Sequence, residues 1–314
     1  DEQKKKYGKL LNGIITRYNL LRYDDYVIDP QYVKGLSDNL ITDLAEKRPI
    51  RKGRNLSGSN RSYEEIGSVS LAVKKITPHA EHEIVDINGK YVVPYVYTKV
   101  VSLQHLPVNE KKQKFFDMLL PSILVASYEI KEARVKLEDI SKSLENGEKL
   151  SASDEDFLTH LLKEWEAKDV GELLNKKMVL LPSSIMLAQA ALETGWGSSR
   201  FFTKANNTFG IWSFDSKEPR VKARGTRNGK AVFVKKYENL HESIIDYYKL
   251  IAKGPYEEYR LASAEADKSP YRLIKHLNRY SELGQEYVKR LRVVMRQSEL
   301  EKYDSYTLDP AFML

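Results

Sequence analysis

The stretch from Leu181 to Gly197 constrains this chain more tightly than any other. Pro182 suits a first helical turn, where its missing N–H is not needed, and Gly195 suits the left-handed residue that closes a helix. Between them Ile185, Ala188, Ala191 and Leu192 recur at helical spacing and predict a buried stripe. Glu193 therefore falls in the last turn, where the partial negative charge of the helix end disfavours a carboxylate. With Trp196 close by, such a carboxylate is expected to titrate above its ordinary range, and an acid still protonated near neutrality is what general-acid catalysis needs. Taken alone, a glutamate at a helix end is more commonly a solvated surface residue.

The residues that follow shift that balance. Gly197-Ser-Ser-Arg200-Phe-Phe and then Asn206-Asn-Thr-Phe-Gly-Ile-Trp212 alternate amides, small residues and aromatics. Side-chain amides with aromatic faces suit sugars and N-acetyl groups, hydrogen-bonding the edges and covering the apolar face of the ring. Some of Phe201, Phe202 and Phe209 are expected to be core. Further on, Lys217 to Lys236 holds eight basic residues and one acid, with Asn228-Gly229 as a two-residue turn signal before Ala231 to Val234. A basic hairpin attracts an anionic polymer, although lysines also protect an ordinary edge strand.

Elsewhere the pattern is mainly helical. Helices are predicted over Tyr7 to Leu21 and Tyr32 to Ala45, with a Gly/Ser/Asn/Arg-rich loop from Arg51 to Ser62. From Ile66 to Leu103 the residues turn β-branched and aromatic, and a hairpin is predicted around Asn88-Gly89. A long apolar face runs through Phe115, Leu119, Pro121, Ile123 and Ile130. Ser151 and Asp154 open the next helix, over Phe157 to Trp165. Asn239-Leu-His-Glu242 is a capping box, Ser269-Pro270 starts another helix, and a last amphipathic helix is predicted from Gln285 to Tyr303. The fold expected is mainly α with a short β-hairpin, preceded by an N-terminal α+β region. Its divisions are 1–104, a helical lead-in 105–180, and a catalytic segment 181–314.

Composition removes whole classes of chemistry. The 314 residues contain no cysteine, which excludes disulfides, Cys-ligated metals and a thiol nucleophile. The longest uncharged runs, Met118 to Tyr128 and Met178 to Leu192, contain proline and fall short of the roughly 20 residues a spanning helix needs. Neither a cofactor nor a metal is expected: His79 and His82 lack a convergent third ligand, and no phosphate loop, nucleophile elbow or His-Glu-x-x-His occurs. The net charge is +7, of which +6 belongs to residues 181–314. Twenty tyrosines and this basic excess also fit nucleic-acid binding, but no recognised nucleic-acid motif is present.

Three motifs in order carry a resemblance. Leu181 to Gly197 with Asn206 to Trp212, Leu106-Pro-Val with Leu120-Pro-Ser, and Arg279-Tyr-Ser through Leu291 together resemble the glucosaminidase family of peptidoglycan hydrolases, most closely its Bax-type branch. The likeness covers about Val101 to Arg296. It implies a lysozyme-like helical catalytic domain in which Glu193 protonates the leaving glycosidic oxygen and Tyr280 is functionally important. Gln189, Trp196, Asn207, Phe209, Trp212 and Tyr237 are the candidates for contact with substrate. A second carboxylate is usual in glycoside hydrolysis. Glu218 is preferred to Asp215 or Glu238, while attack by the substrate's N-acetyl oxygen, or by a water held by Tyr280, needs none.

The function so implied is an endo-β-N-acetylglucosaminidase acting on the glycan strands of peptidoglycan, in the periplasm, cell envelope or outside the cell. The chain opens at Asp1 without a charged and apolar leader, so an export signal is expected to have been removed already. A muramidase or lytic transglycosylase, a non-catalytic wall-binding protein and, remotely, a nucleic-acid-binding protein are the alternatives.

Overall fold

The computed structural model describes residues 71–227, 230–265 and 268–313, all within Arg61–Leu314, the second of the two units into which the chain divides. The helices expected over Tyr7 to Leu21 and Tyr32 to Ala45, and the loop from Arg51 to Ser62, lie outside the described residues. Short strands β1 (Lys74–Ile76), β2 (Tyr91–Val92) and β3 (Tyr95–Tyr97) lead into α1 (Val108–Glu145) and α2 (Ala152–Trp165). A helical turn at Val170–Glu172 and a π-helix at Leu173–Lys177 precede α3 (Ser183–Thr194) and α4 (Arg200–Ala205). The hairpin of β4 (Arg220–Arg227) and β5 (Lys230–Lys235) follows, then α5 (Leu240–Lys253), α6 (Glu257–Ala264), α7 (Pro270–Leu273) and α8 (Gln285–Gln297). A 3-10 helix at Leu300–Ser305 and strand β6 (Thr307–Leu308) come last but for one short turn. The mainly helical architecture with one hairpin is the one expected, and among the described residues no helix is long and apolar enough to cross a membrane.

The centre of the bundle is α3. It was expected to bury one stripe; instead Ser183 to Ala191 and Thr194 are all buried, because α1, α8 and the 3-10 helix at Leu300–Ser305 pack around it. A helix enclosed on all sides must satisfy its polar side chains internally. Thr194 does so by donating to the Ala190 carbonyl at 2.7 Å and accepting from the Gly197 amide at 3.0 Å. Gly195 ends the helix in the left-handed region, at φ +56°. The 38-residue α1 continues through Pro121, with every residue from Phe115 to Ser127 buried. An internal proline costs about 3 kcal/mol, and burial of large apolar side chains at about 1.5–3 kcal/mol each outweighs it here.

Local signals held at the other helix starts. The Ser151 side chain accepts from the Asp154 amide, and Asn239 accepts from the Glu242 amide while Glu242 accepts from Glu238 N–H at 2.9 Å. The expected hairpin strands are present, with Arg227 paired to Lys230; Asn228-Gly229 itself lies outside the described residues. Its register slips once, so that Lys222 faces Phe233 but Thr226 faces Ala231.

Two expectations need correction. No hairpin forms around Asn88-Gly89: β3 pairs in parallel with β1, and β2 in parallel with β6. The amides that an antiparallel arm would use are taken by side chains, Val85 N–H donating to the Tyr97 hydroxyl (3.0 Å) and Ile87 N–H to Asp117 Oδ1 (3.3 Å). The final helix stops at Gln297, and Glu299 at φ +47° turns the chain into the 3-10 helix. That turn buries Leu300 and Tyr303 in the core at 0% and 3% exposure.

Candidate active site

Gln189 and Glu193 stand one turn apart on α3 and so share a face. Opposite them, Tyr287 in the first turn of α8 donates its hydroxyl to Glu193 Oε1 at 3.0 Å. The Gln189 side-chain amide donates to the Tyr287 hydroxyl oxygen at 3.1 Å, and on its other side Gln189 Oε1 accepts from the hydroxyl of Tyr247 on α5. Tyr280 stacks on Tyr287 with ring centroids 5.5 Å apart and planes 14° apart. Tyr247, Tyr256, Tyr280 and Tyr287 thus form an aromatic cluster beside the carboxylate.

The cluster determines the acidity of Glu193. Burial pushes its carboxyl above the ordinary range, and the Tyr287 hydrogen bond pulls partly the other way. Trp196 had been expected to supply this environment. Its ring packs instead edge-on against Phe115 and Phe116 of α1, at 6.0 and 5.6 Å, with the Lys112 ammonium 4.7 Å above it.

The loop after α4 lies across the same site. Asn206 donates to the carbonyls of Thr98 and Tyr237, both at 3.0 Å. Asn207 donates to the carbonyls of Ile211 (3.0 Å) and Lys235 (2.9 Å) and accepts from the Ile211 amide (3.0 Å). Phe209 stacks on Tyr247 at 4.0 Å, and its carbonyl accepts from the Tyr280 hydroxyl at 2.7 Å. Gly210, at φ +66°, faces Glu193: a Cβ there would lie 3.6 Å from Oε2.

On the hairpin side, Glu218 sits 3.7 Å from the Lys235 ammonium, which also donates to Asp246 at 2.9 Å. The Tyr237 hydroxyl donates to the same Asp246 carboxylate at 2.7 Å. Trp212 and Phe214 are 37% and 87% exposed, their ring centroids 6.2 Å apart. Where the β4 register slips, Ala223, Arg224 and Gly225 line a cavity of about 540 Å³ together with Gln104, Ser198 and Arg200.

The structure therefore gathers Gln189, Glu193, Phe209 and Tyr280 at one place and groups Glu218 and Tyr237 with Lys235 and Asp246. Gln189 and Asn207, read as substrate contacts, are 0% and 2% exposed and bonded inside the protein. Sequence reasoning missed Tyr287, the residue on the carboxylate itself. It opens the stripe Tyr287, Leu291, Met295 on the buried face of α8, and so reads as core. The one available signal was its polar end, since a tyrosine on a buried stripe needs a hydroxyl partner.

Among the described residues no three His, Cys, Asp or Glu side chains are grouped to hold a metal ion.

Residues 171–300 match the Glucosaminidase family model, described as mannosyl-glycoprotein endo-beta-N-acetylglucosaminidase. The matched segment contains Gln189, Glu193, the loop after α4, the hairpin and the four tyrosines. The exo-glucosaminidase LytG of Bacillus subtilis (strain 168) is 25% identical over 149 residues, which are 42% of this chain and 49% of LytG. The chain thus spans about half the length of that curated relative. Among solved structures, the catalytic domain of the autolysin Auto from Listeria monocytogenes is 22% identical, covering 53% of this chain and 96% of that one with a TM-score of 0.33. A peptidoglycan hydrolase from Sphingomonas sp. A1 is 26% identical, covering 39% and 79% with a TM-score of 0.32.

Proposed function

We propose that this protein is a peptidoglycan hydrolase that cleaves the N-acetylglucosaminyl β-1,4 bond of glycan strands, with Glu193 as general acid. The observation that carries this reading is the setting of Glu193: a carboxyl raised by burial, held through one oxygen by Tyr287, within the segment that matches the glucosaminidase family. Such an acid protonates the leaving oxygen as positive charge builds on the sugar ring, a contribution of about 10²–10⁴ in rate. The motifs at Leu106 and Arg279 favour the Bax-type branch.

Glu218, close to Lys235, is our choice for the second carboxylate. Trp212 and Phe214 offer aromatic faces to the glycan, and Arg200 and Arg224 at the cavity suit the carboxylates of the peptide stems. Gln189, Asn207 and Phe209 hold the site from beneath. In this reading residues 181–314 form the catalytic unit, 105–180 support it, and the protein works in the cell envelope or outside the cell.

The test is digestion of purified sacculi with mass spectrometry of the products. New reducing ends of N-acetylglucosamine are expected. Ends of N-acetylmuramic acid or its anhydro form would move the protein to the muramidase or transglycosylase class, and release of single sugars alone would make it exo-acting. Glu193→Gln keeps the shape and removes the acid, so a loss of at least about a hundredfold in turnover is expected. Wild-type turnover by that variant would overturn the assignment.

A further inference from the structure

The order of hydrogen bonds around Glu193 selects one of its two oxygens for the acid proton, an inference that rests on the function proposed above. A side-chain amide has a direction: its oxygen only accepts and its nitrogen only donates. Tyr247 donates to Gln189 Oε1, which leaves Gln189 Nε2 to donate to the Tyr287 hydroxyl oxygen at 3.1 Å. With that oxygen already accepting, the single hydroxyl proton of Tyr287 goes to Glu193 Oε1 at 3.0 Å. Tyr247 and Gln189 are 0% exposed and Tyr287 is 3% exposed, so water does not compete for these groups.

We propose that Gln189 and Tyr247 are positioning residues which, through Tyr287, keep Glu193 Oε1 as an acceptor and reserve Oε2 for the proton given to the leaving glycosidic oxygen. Oε2 faces Gly210, which has no side chain to cover it; a Cβ at that position would lie 3.6 Å away. When the bond from the anomeric carbon breaks, its electron pair stays with the glycosidic oxygen, which takes the Oε2 proton. The carboxylate left behind still receives the Tyr287 hydrogen bond at Oε1. Water then supplies hydroxide to the anomeric carbon, and its remaining proton restores the acid. The relay acts through the far oxygen, so substrate binding does not depend on it.

The test is the pH–rate profile on sacculi for Tyr287→Phe, Tyr247→Phe and the double variant. Tyr287→Phe removes the donor that favours the carboxylate, so the basic limb of kcat should move up by about one pH unit. Its kcat should fall about tenfold while KM stays within twofold. Tyr247→Phe should move the same limb by less, and the double variant should be no worse than Tyr287→Phe alone, the non-additivity of a chain. An unmoved limb in both single variants, or effects that multiply, would overturn the relay. If Tyr287→Phe fails to fold, Tyr247→Phe and Gln189→Met report on the same limb. Glu193→Gln separates the two readings. Wild-type turnover by it removes the acid itself, whereas an inactive Glu193→Gln beside an unmoved limb removes only the relay.

Discussion

Asp304 closes the N-terminus of the helix that carries Glu193 in its last turn, its carboxylate accepting from the Ser184 amide at 2.8 Å and from the Ser184 hydroxyl at 2.7 Å. Pro182, the N-cap residue, supplies no side-chain cap, so the acceptor comes from the 3-10 helix after α8. A carboxylate at this end also complements the helix dipole. Asp304→Ala leaves two buried donors without a partner. We expect a loss of about 2–3 kcal/mol in stability by urea unfolding, with Asp304→Asn losing less. A change below about 0.5 kcal/mol for the alanine variant would show that the cap is not needed.

Asp117 in α1 predicts a pH effect on stability. It is 0% exposed; its Oδ1 accepts from Gln113 Nε2 at 2.9 Å and Ile87 N–H at 3.3 Å, and its Oδ2 has no partner among the described residues. Burial raises its pKa from 3.8 to about 6. The native state therefore holds this proton more tightly than the unfolded chain. The contribution is fully present below about pH 4 and is lost as pH rises through about 6. Asp117→Asn removes that loss, so it should be more stable than the parent by about 2–3 kcal/mol at pH 7.5 and nearly equal to it at pH 4. Equal stability at both values would contradict the reading.

Trp212 and Phe214 test whether exposed aromatics hold the glycan. Because Phe214 is 87% exposed, Phe214→Ala should leave the melting temperature unchanged. Its KM on glycan strands should rise about three- to tenfold, the worth of one ring contact, with kcat nearly constant. Trp212→Ala should raise KM at least as much. Unchanged KM in both variants would place the glycan elsewhere.

Much of the local structure was legible in the sequence because its causes are local. Ser151 and Asn239 cap their helices through amides three residues away, Gly195 ends α3 because a left-handed residue is needed there, and Arg227 pairs with Lys230 on either side of the turn signal. Glu193 could be singled out for a related reason, its place at a helix end where a carboxylate is disfavoured. Partners distant in the chain were not legible. Tyr287 meets Gln189 across 98 positions and Glu193 across 94, and in sequence it is one more residue of an apolar stripe. Asn207 reads as a sugar ligand until the carbonyls of Ile211 and Lys235 are seen to take its amide. The parallel strands escaped for the same reason, since β2 finds its partner only in β6. Sequence alone determined the caps at Ser151 and Asn239, the stop at Gly195 and which carboxylate is out of place. Tertiary structure decided which side chains lose water together, and that loss of water raises the Glu193 carboxyl above its ordinary range and sets Tyr287 against it.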